Sequence, residues 1–327
     1  MFIFLSGKPD RFLFFVNIYL AIMLYNIPFC MRNLLSRVFH FLVNSNLLVS
    51  IAASSQVGLT YLLIGGSYNY LVILLVGCIT LLMYNLSIFL SLPKEPLKSP
   101  YARTQWIGRN KLLFYLLSAL AAAGSVVIFF KSMLDFRLLL FLSLTGVVGL
   151  LYVLPVFRVR GKWQGARQLP GLKVFHIAVV WTLLTVFLPM IEHLISGWVL
   201  PEALIYQIGA RRFLFILLCT LPFDVRDMQS DAVYGLKTIP ILLGQRKVRL
   251  IFYCGVVIHA LVSLGFFPHG ELVYAFWITD FILLIWVYKY VFRENSYIRS
   301  YLMDFILVVQ FVLAWLSTYF FSAGGFL

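Results

Sequence analysis

Three aspartates stand in one short stretch, Pro222-Phe223-Asp224-Val225-Arg226-Asp227-Met228-Gln229-Ser230-Asp231, of a chain with only 12 acidic residues among 327. Their spacing is i, i+3 and i+7, which at 3.6 residues per turn gathers them on one narrow helical face. Three carboxylates so placed repel one another unless a cation sits among them. Hard oxygen donors suit Mg2+, which binds through one or two carboxylates together with phosphate oxygens. A solvated helix end accounts for one or two of these acids. Three in register on so acid-poor a chain point instead to a metal–phosphate site, with Asp224, Asp227 and Asp231 as its ligands.

The elements that carry this stretch are membrane helices. The chain is 62% hydrophobic and 12% charged, with a mean hydropathy of +0.95. A soluble domain is about 45–50% apolar and 25% charged, so a water-soluble enzyme is excluded. Apolar runs fall near 40–64, 70–92, 112–130, 138–157, 173–191, 203–223, 249–267, 272–290 and 301–321. Each is close to the ~20 residues that a helix needs to cross the hydrocarbon layer. They are continuous rather than alternating, which excludes a transmembrane barrel. The expected fold is all-α and polytopic, with about nine transmembrane helices.

The net charge of +14 reflects membrane orientation rather than nucleic-acid binding, because 20 of the 26 basic residues fall in alternate connections. By the positive-inside rule those connections are cytoplasmic, the Asp loop among them, and the C-terminus is outside. An integral, multi-pass protein of the cell inner membrane is expected. Residues 1–31 form an extra apolar N-terminal segment, lying along or partly in the membrane and set apart from the nine-span domain of 32–327; Met31 is an alternative start for the protein proper. The four cysteines show no ligand spacing and read as buried small hydrophobes.

The aspartate stretch continues to Gly235, Thr238, Pro240 and Gly244. In that form it resembles the second aspartate-rich motif of the UbiA family of intramembrane prenyltransferases, approximately D-x-x-D-x-x-x-D-x-x-x-G-x-x-T-x-P-x-x-x-G. The likeness covers roughly residues 32–327 and implies a UbiA-like bundle. The family's first motif, approximately N-D-x-x-D-x-x-x-D, belongs after the second span, where this chain reads Tyr84-Asn85-Leu86-Ser87-Ile88-Phe89-Leu90-Ser91-Leu92-Pro93-Lys94-Glu95. Asn85 alone matches, and Arg103-Thr104 resembles the pair that trails that motif. Leu151–Pro155 followed by Arg158, Arg160 and Lys162 resembles the family's Tyr-Pro and basic stretch.

The resemblance implies a Mg2+-dependent transfer of a prenyl group from a polyprenyl diphosphate to a hydrophobic aromatic or lipid acceptor within the membrane. Asn85, Arg103, Arg158, Arg160, Lys162 and Lys237 are the residues expected at the diphosphate. Because the first acidic motif is degenerate, a non-catalytic isoprenoid- or lipid-binding relative is the alternative. A transporter coupled through Asp280, an acid in the middle of the eighth run, is a third reading; no internal repeat supports it. Asp280 otherwise reads either as part of a cavity wall or proton relay, or as one half of an interhelical hydrogen bond. Asp304, near the interface, is expected to hydrate or to cap its helix, and Arg211 and Arg212 are expected to shorten the sixth span.

Overall fold

In a computed structural model the chain is described over residues 29–132, 135–152, 154, 157–159, 162–165, 169–233, 235–266, 270 and 272–323. The N-terminal segment lies outside the described residues up to Pro28. Helix α1 is Phe29–Asn44, and α2 (Leu47–Ile64) and α3 (Tyr70–Ser91) follow. A short α4 (Ala102–Arg109) leads into α5 (Lys111–Ser132) and α6 (Phe136–Leu151). Strands β1 (Phe157–Val159) and β2 (Lys162–Gln164) then pair as a small antiparallel hairpin. Next come α7 (Leu172–Thr182), a π-turn over Leu183–Phe187, and α8 (Leu188–Ile195). The 32-residue α9 (Glu202–Val233) is followed by α10 (Ile239–Leu243) and α11 (Gln245–Phe266). Helix α12 (Leu272–Trp286) runs on as a π-segment to Arg293, and α13 (Leu302–Ala323) ends the described chain.

Eight helical stretches are long and apolar enough to cross a membrane, and α6 is a shorter apolar ninth. The fold is thus the expected polytopic helical bundle, with the small hairpin as an addition. Helices pack in the order α7, α9, α11, α12, α13, α2, α3, α5, with α6 beside α7 and α8.

Where the run 40–64 reads as one span, the structure breaks it at Ser45-Asn46. Asn46 adopts a left-handed conformation (φ 63°), which asparagine visits more readily than most residues, and its amide is held by Asn85 and Arg103. The residues before the break form α1, whose Leu34, Leu35, Val38 and Phe41 are exposed beside Arg37. A helix with such a face suits the plane of a membrane surface.

Helices α2 and α3 meet through small residues. Ser50 Oγ donates to the Gly77 carbonyl at 2.8 Å, and Ser54 Oγ donates to the Ile73 carbonyl at 2.9 Å. A Cβ at Gly77 would overlap Ser54 Oγ. Gly77→Val is therefore expected to lower stability by about 1–3 kcal/mol, the usual cost of overpacking a close contact. A denaturation series in detergent reads it, and an unchanged midpoint would remove this account of the α2–α3 seam.

Arg211 and Arg212 do not shorten the sixth span; they lie buried inside α9. The surrounding helices supply what water would. Arg212 Nη1 donates to the Gln56 carbonyl at 2.8 Å and to Thr185 Oγ1 at 3.1 Å, and Nη2 donates to Thr60 Oγ1 at 3.3 Å. The π-turn takes part because Pro189 has no N–H for the Thr185 carbonyl four residues before it. Thr60 Oγ1 donates to that carbonyl instead, at 2.6 Å. Arg211 lies over the Phe276 ring, 3.5 Å from its centroid.

Candidate functional site

Helix α9 carries all three aspartates because it passes through Pro222, a break that neighbouring helices make tolerable in a membrane bundle. It ends at Gly235, where φ is 69°, a conformation glycine adopts without a Cβ clash. The Leu236 N–H closes the end on the Asp231 carbonyl at 2.9 Å. Helix α7 starts after Gly171, also left-handed (φ 67°), whose N–H donates to the Lys237 carbonyl at 2.9 Å. That backbone bond sets the first turn of α7 beside the last turn of α9.

The consequence is an ion cluster. Lys173, on the first turn of α7, places Nζ 2.7 Å from Asp224 Oδ1 and 3.3 Å from Asp231 Oδ2, with all three side chains buried. Asp224 and Asp231, seven residues apart on one face, thus converge on a lysine. Asp227 turns to its sequence neighbour. Arg226 Nε donates to Asp227 Oδ1 at 2.7 Å and Nη2 donates to Oδ2 at 2.8 Å, a forked pair. The Arg226 guanidinium also lies 4.4–4.9 Å from the ring centroids of Phe223, Tyr297 and Tyr301, and its Nη1 donates to Ser300 Oγ at 2.8 Å.

These groups close the polar end of a cavity of about 510 Å³. Lys173, Asp224, Arg226, Asp227, Arg103, Tyr301 and Asp304 line that end. Thr80, Met83 and Tyr84 of α3, Leu142, Thr145 and Gly146 of α6, Ile177 and Trp181 of α7, and Ile216 and Cys219 of α9 line the rest. An apolar slot with a charged end is the shape that holds a lipid chain by its tail and an anionic head at its mouth.

Of the other expected site residues, Arg103 does reach the cavity. Its Nη1 donates to Tyr301 Oη at 2.7 Å, and Nη2 donates to the Val43 carbonyl at 3.3 Å and to Asn46 Oδ1. Its Nε is buried without a partner among the described residues. Burial works against the charge, but the Tyr301 and Tyr297 hydroxyls outweigh it and hold the guanidinium pKa above its ordinary value. Asn85 is buried beside the cavity rather than on its lining. It accepts from Asn46 Nδ2 and donates to Ser118 Oγ, both at 2.8 Å, and so holds the α2 break that positions Arg103. Arg158 is exposed on β1, Lys237 is exposed after α9, and neither lines the cavity. Lys162 lies on β2, its side chain outside the described residues, as is the whole of Arg160. In α3, Leu86 and Phe89, which stand where the first motif has acids, are exposed; Ser87 and Ile88 line the cavity.

Three groups were not legible as site residues. Lys173 and Arg226 are two of the 26 basic residues of the chain, and Asp304 reads as a hydrated acid or a cap. A lone lysine in so apolar a run signals a partner, but not which one. Among the described residues no group of three His, Cys, Asp or Glu is arranged to hold a metal ion. The donor set still suits one hard cation. Asp224 Oδ2 is a buried carboxylate oxygen with no hydrogen-bond partner among the described residues, on a residue that lines the cavity.

Fold and cavity define a polytopic helical membrane protein with a polar-capped intramembrane slot. Solved structures share that architecture. No family model matches the sequence, and no curated protein matches it. The chain is similar to a UbiA homolog from Archaeoglobus fulgidus bound to GPP and Mg2+, with a TM-score of 0.54 at 13% identity, covering 83% of this chain and 95% of that one. The same homolog bound to DMAPP and Mg2+ gives 0.52 at 13% identity, over 83% and 95%. A digeranylgeranylglyceryl phosphate synthase gives 0.50 at 13% identity, over 86% and 96%. The chain has the UbiA fold.

Proposed function

We propose that this protein is a UbiA-like membrane prenyltransferase, which moves a prenyl group from a polyprenyl diphosphate to an aromatic or lipid acceptor. The observation that carries this reading is the apolar cavity ending at the buried Lys173 and Asp224 and the half-buried Arg226 and Asp227. UbiA homologs bound to GPP or DMAPP with Mg2+ share the fold and support it. Asp224, with its open Oδ2, would hold Mg2+ together with Asp231 and Asp227. Bound there, Mg2+ would neutralise charge on the departing diphosphate.

The rest falls to the chain's own groups. Arg103, whose Nε has no partner among the described residues, and Lys173 bind diphosphate oxygens at the mouth. The apolar wall excludes water from the reacting carbon, and the rings of Tyr84, Tyr152, Trp181, Phe223 and Tyr301 line the path of an allylic cation, which aromatic faces stabilise. The acceptor's own nucleophilic atom completes the transfer, and no covalent enzyme nucleophile is used. The orientation that puts the Asp loop on the cytoplasmic side of the cell inner membrane belongs to the same proposal.

Titration of the detergent-purified protein with a non-hydrolysable prenyl diphosphate analogue, with and without Mg2+, tests the reading. Mg2+-dependent saturable binding is expected; no binding in either condition overturns it. A non-catalytic isoprenoid binder is the second reading. It is favoured by one observation: α3 brings only Ile79, Thr80, Met83, Tyr84, Ser87 and Ile88 to the cavity lining among the described residues, and no carboxylate for a second ion. Binding without product in an acceptor screen would select it.

The tail end offers a length test. A Cβ at Gly146 meets nothing within 4 Å, so that side of α6 is open. Gly146→Phe is expected to weaken binding of a twenty-carbon diphosphate analogue about tenfold, which is 1.4 kcal/mol, while leaving a five-carbon analogue within about twofold. Equal loss for both analogues would place the tail elsewhere.

A further inference from the structure

We infer that Lys173 is a built-in counter-cation that keeps Asp224 and Asp231 closed to a divalent ion until a diphosphate draws it away. The inference rests on the proposed diphosphate chemistry and concerns what admits the metal. The Lys173 ammonium stands between the two carboxylates, at 2.7 and 3.3 Å, where an ion bridging them would have to sit. It is held there by construction, since the Gly171 N–H bond to the Lys237 carbonyl ties the start of α7 to the turn after α9.

A divalent ion and an ammonium cannot share two buried carboxylates, because like charges at that range repel strongly in a poorly screened site. Yet the site is not closed on itself, for Asp224 Oδ2 is buried and has no partner among the described residues. The neighbouring charges do not replace Lys173. Arg226 is committed to Asp227, and Arg103 to Tyr301 and Asn46. Asp304, the third acid of the cavity lining, lies on α13.

A diphosphate brings oxygens that compete for the ammonium, and a lysine can follow them because its charge sits on a flexible four-carbon stem. Once Lys173 turns to the phosphate, Asp224 and Asp231 are free for the metal. Metal and diphosphate then enter together, and each raises the affinity of the other by the same factor.

Mn2+ binding to the full-length detergent-purified protein, followed by the loss of its free-ion paramagnetic resonance signal, tests this directly. Without diphosphate, Lys173→Gln is expected to bind Mn2+ at least tenfold more tightly than wild type. Lys173→Arg, which keeps the charge, is expected to bind no better than wild type. Adding the non-hydrolysable prenyl diphosphate analogue should bring wild type to within about threefold of Lys173→Gln. Wild type that binds Mn2+ alone as tightly as Lys173→Gln overturns the inference, as does a folded Lys173→Gln that gains no affinity. If Lys173→Gln does not fold, the wild-type arms decide: tight Mn2+ binding that the analogue does not improve overturns it, and a tenfold gain on adding the analogue supports it. Failure of every form to bind the analogue would remove the proposed donor, while the metal-only comparison would still read the role of Lys173.

Discussion

Asp224→Ala is expected to lower stability by roughly 3 kcal/mol and to abolish Mg2+-dependent binding of a prenyl diphosphate analogue. The first effect follows from the buried pair. Removing one partner of a buried ion pair costs about 3–5 kcal/mol, because the remaining charge is left without compensation. The cost falls at the lower end here because Asp231 still faces the ammonium at 3.3 Å. The second effect follows from the loss of the open Oδ2 oxygen. Denaturation and analogue titration in the same detergent separate the two. The triple variant Asp224→Ala, Asp231→Asn, Lys173→Met, which removes the ammonium without stranding the second carboxylate, should recover much of the lost stability, with a coupling of about 1–3 kcal/mol, and none of the binding. A triple variant no more stable than Asp224→Ala would show that the cluster is not coupled.

Asp280→Ala is expected to cost about 3–5 kcal/mol by the same physics while leaving analogue binding within about twofold. Asp280 is buried in α12 with both carboxylate oxygens 2.9 Å from His259 Nδ1 on α11. It also acts electrostatically on Arg211 of α9. One acid therefore joins three helices in the membrane interior, and it does not line the cavity. Of the two sequence readings of this acid, the interhelical bond is present and the cavity wall is not. Asp280→Asn should cost less than Asp280→Ala, since an amide oxygen can still accept from the imidazole. A binding defect in Asp280→Ala as large as that of Asp224→Ala would mean that this cluster communicates with the site. A stable Asp280→Ala that lost an ion-coupled transport activity would revive the transporter reading.

The sequence resolves the spans because hydropathy is a local property, summed over about 20 adjacent residues. It resolves the register of Asp224 and Asp231 for the same reason, since helical periodicity is local too. It does not resolve what lies opposite them. Lys173 and Asp231 are 58 positions apart, and only the packing of α7 on α9 brings them together. The break at Asn46 was hidden because its cause, bonding to Asn85 and Arg103, comes from α3 and the segment after it. Arg211 and Arg212 misled for a related reason. A charge in an apolar run reads as a helix end until the neighbouring acceptors are known, and Gln56, Thr60 and Thr185 are supplied by other helices. The small hairpin after α6 was missed because its strands are only three residues long.

The bond from the Gly171 N–H to the Lys237 carbonyl also bears on how the site can respond. It clasps the beginning of α7 to the turn leaving α9, so the lysine and the acids travel as one body whenever either helix tilts. Hinge-like motion of the bundle, on the microsecond-to-millisecond scale, therefore leaves the charges paired. Exchange of the ammonium from carboxylate to phosphate, as inferred above, would then need only rotation about the side-chain bonds of Lys173. A tilt of either helix would therefore move the charge cluster without opening it.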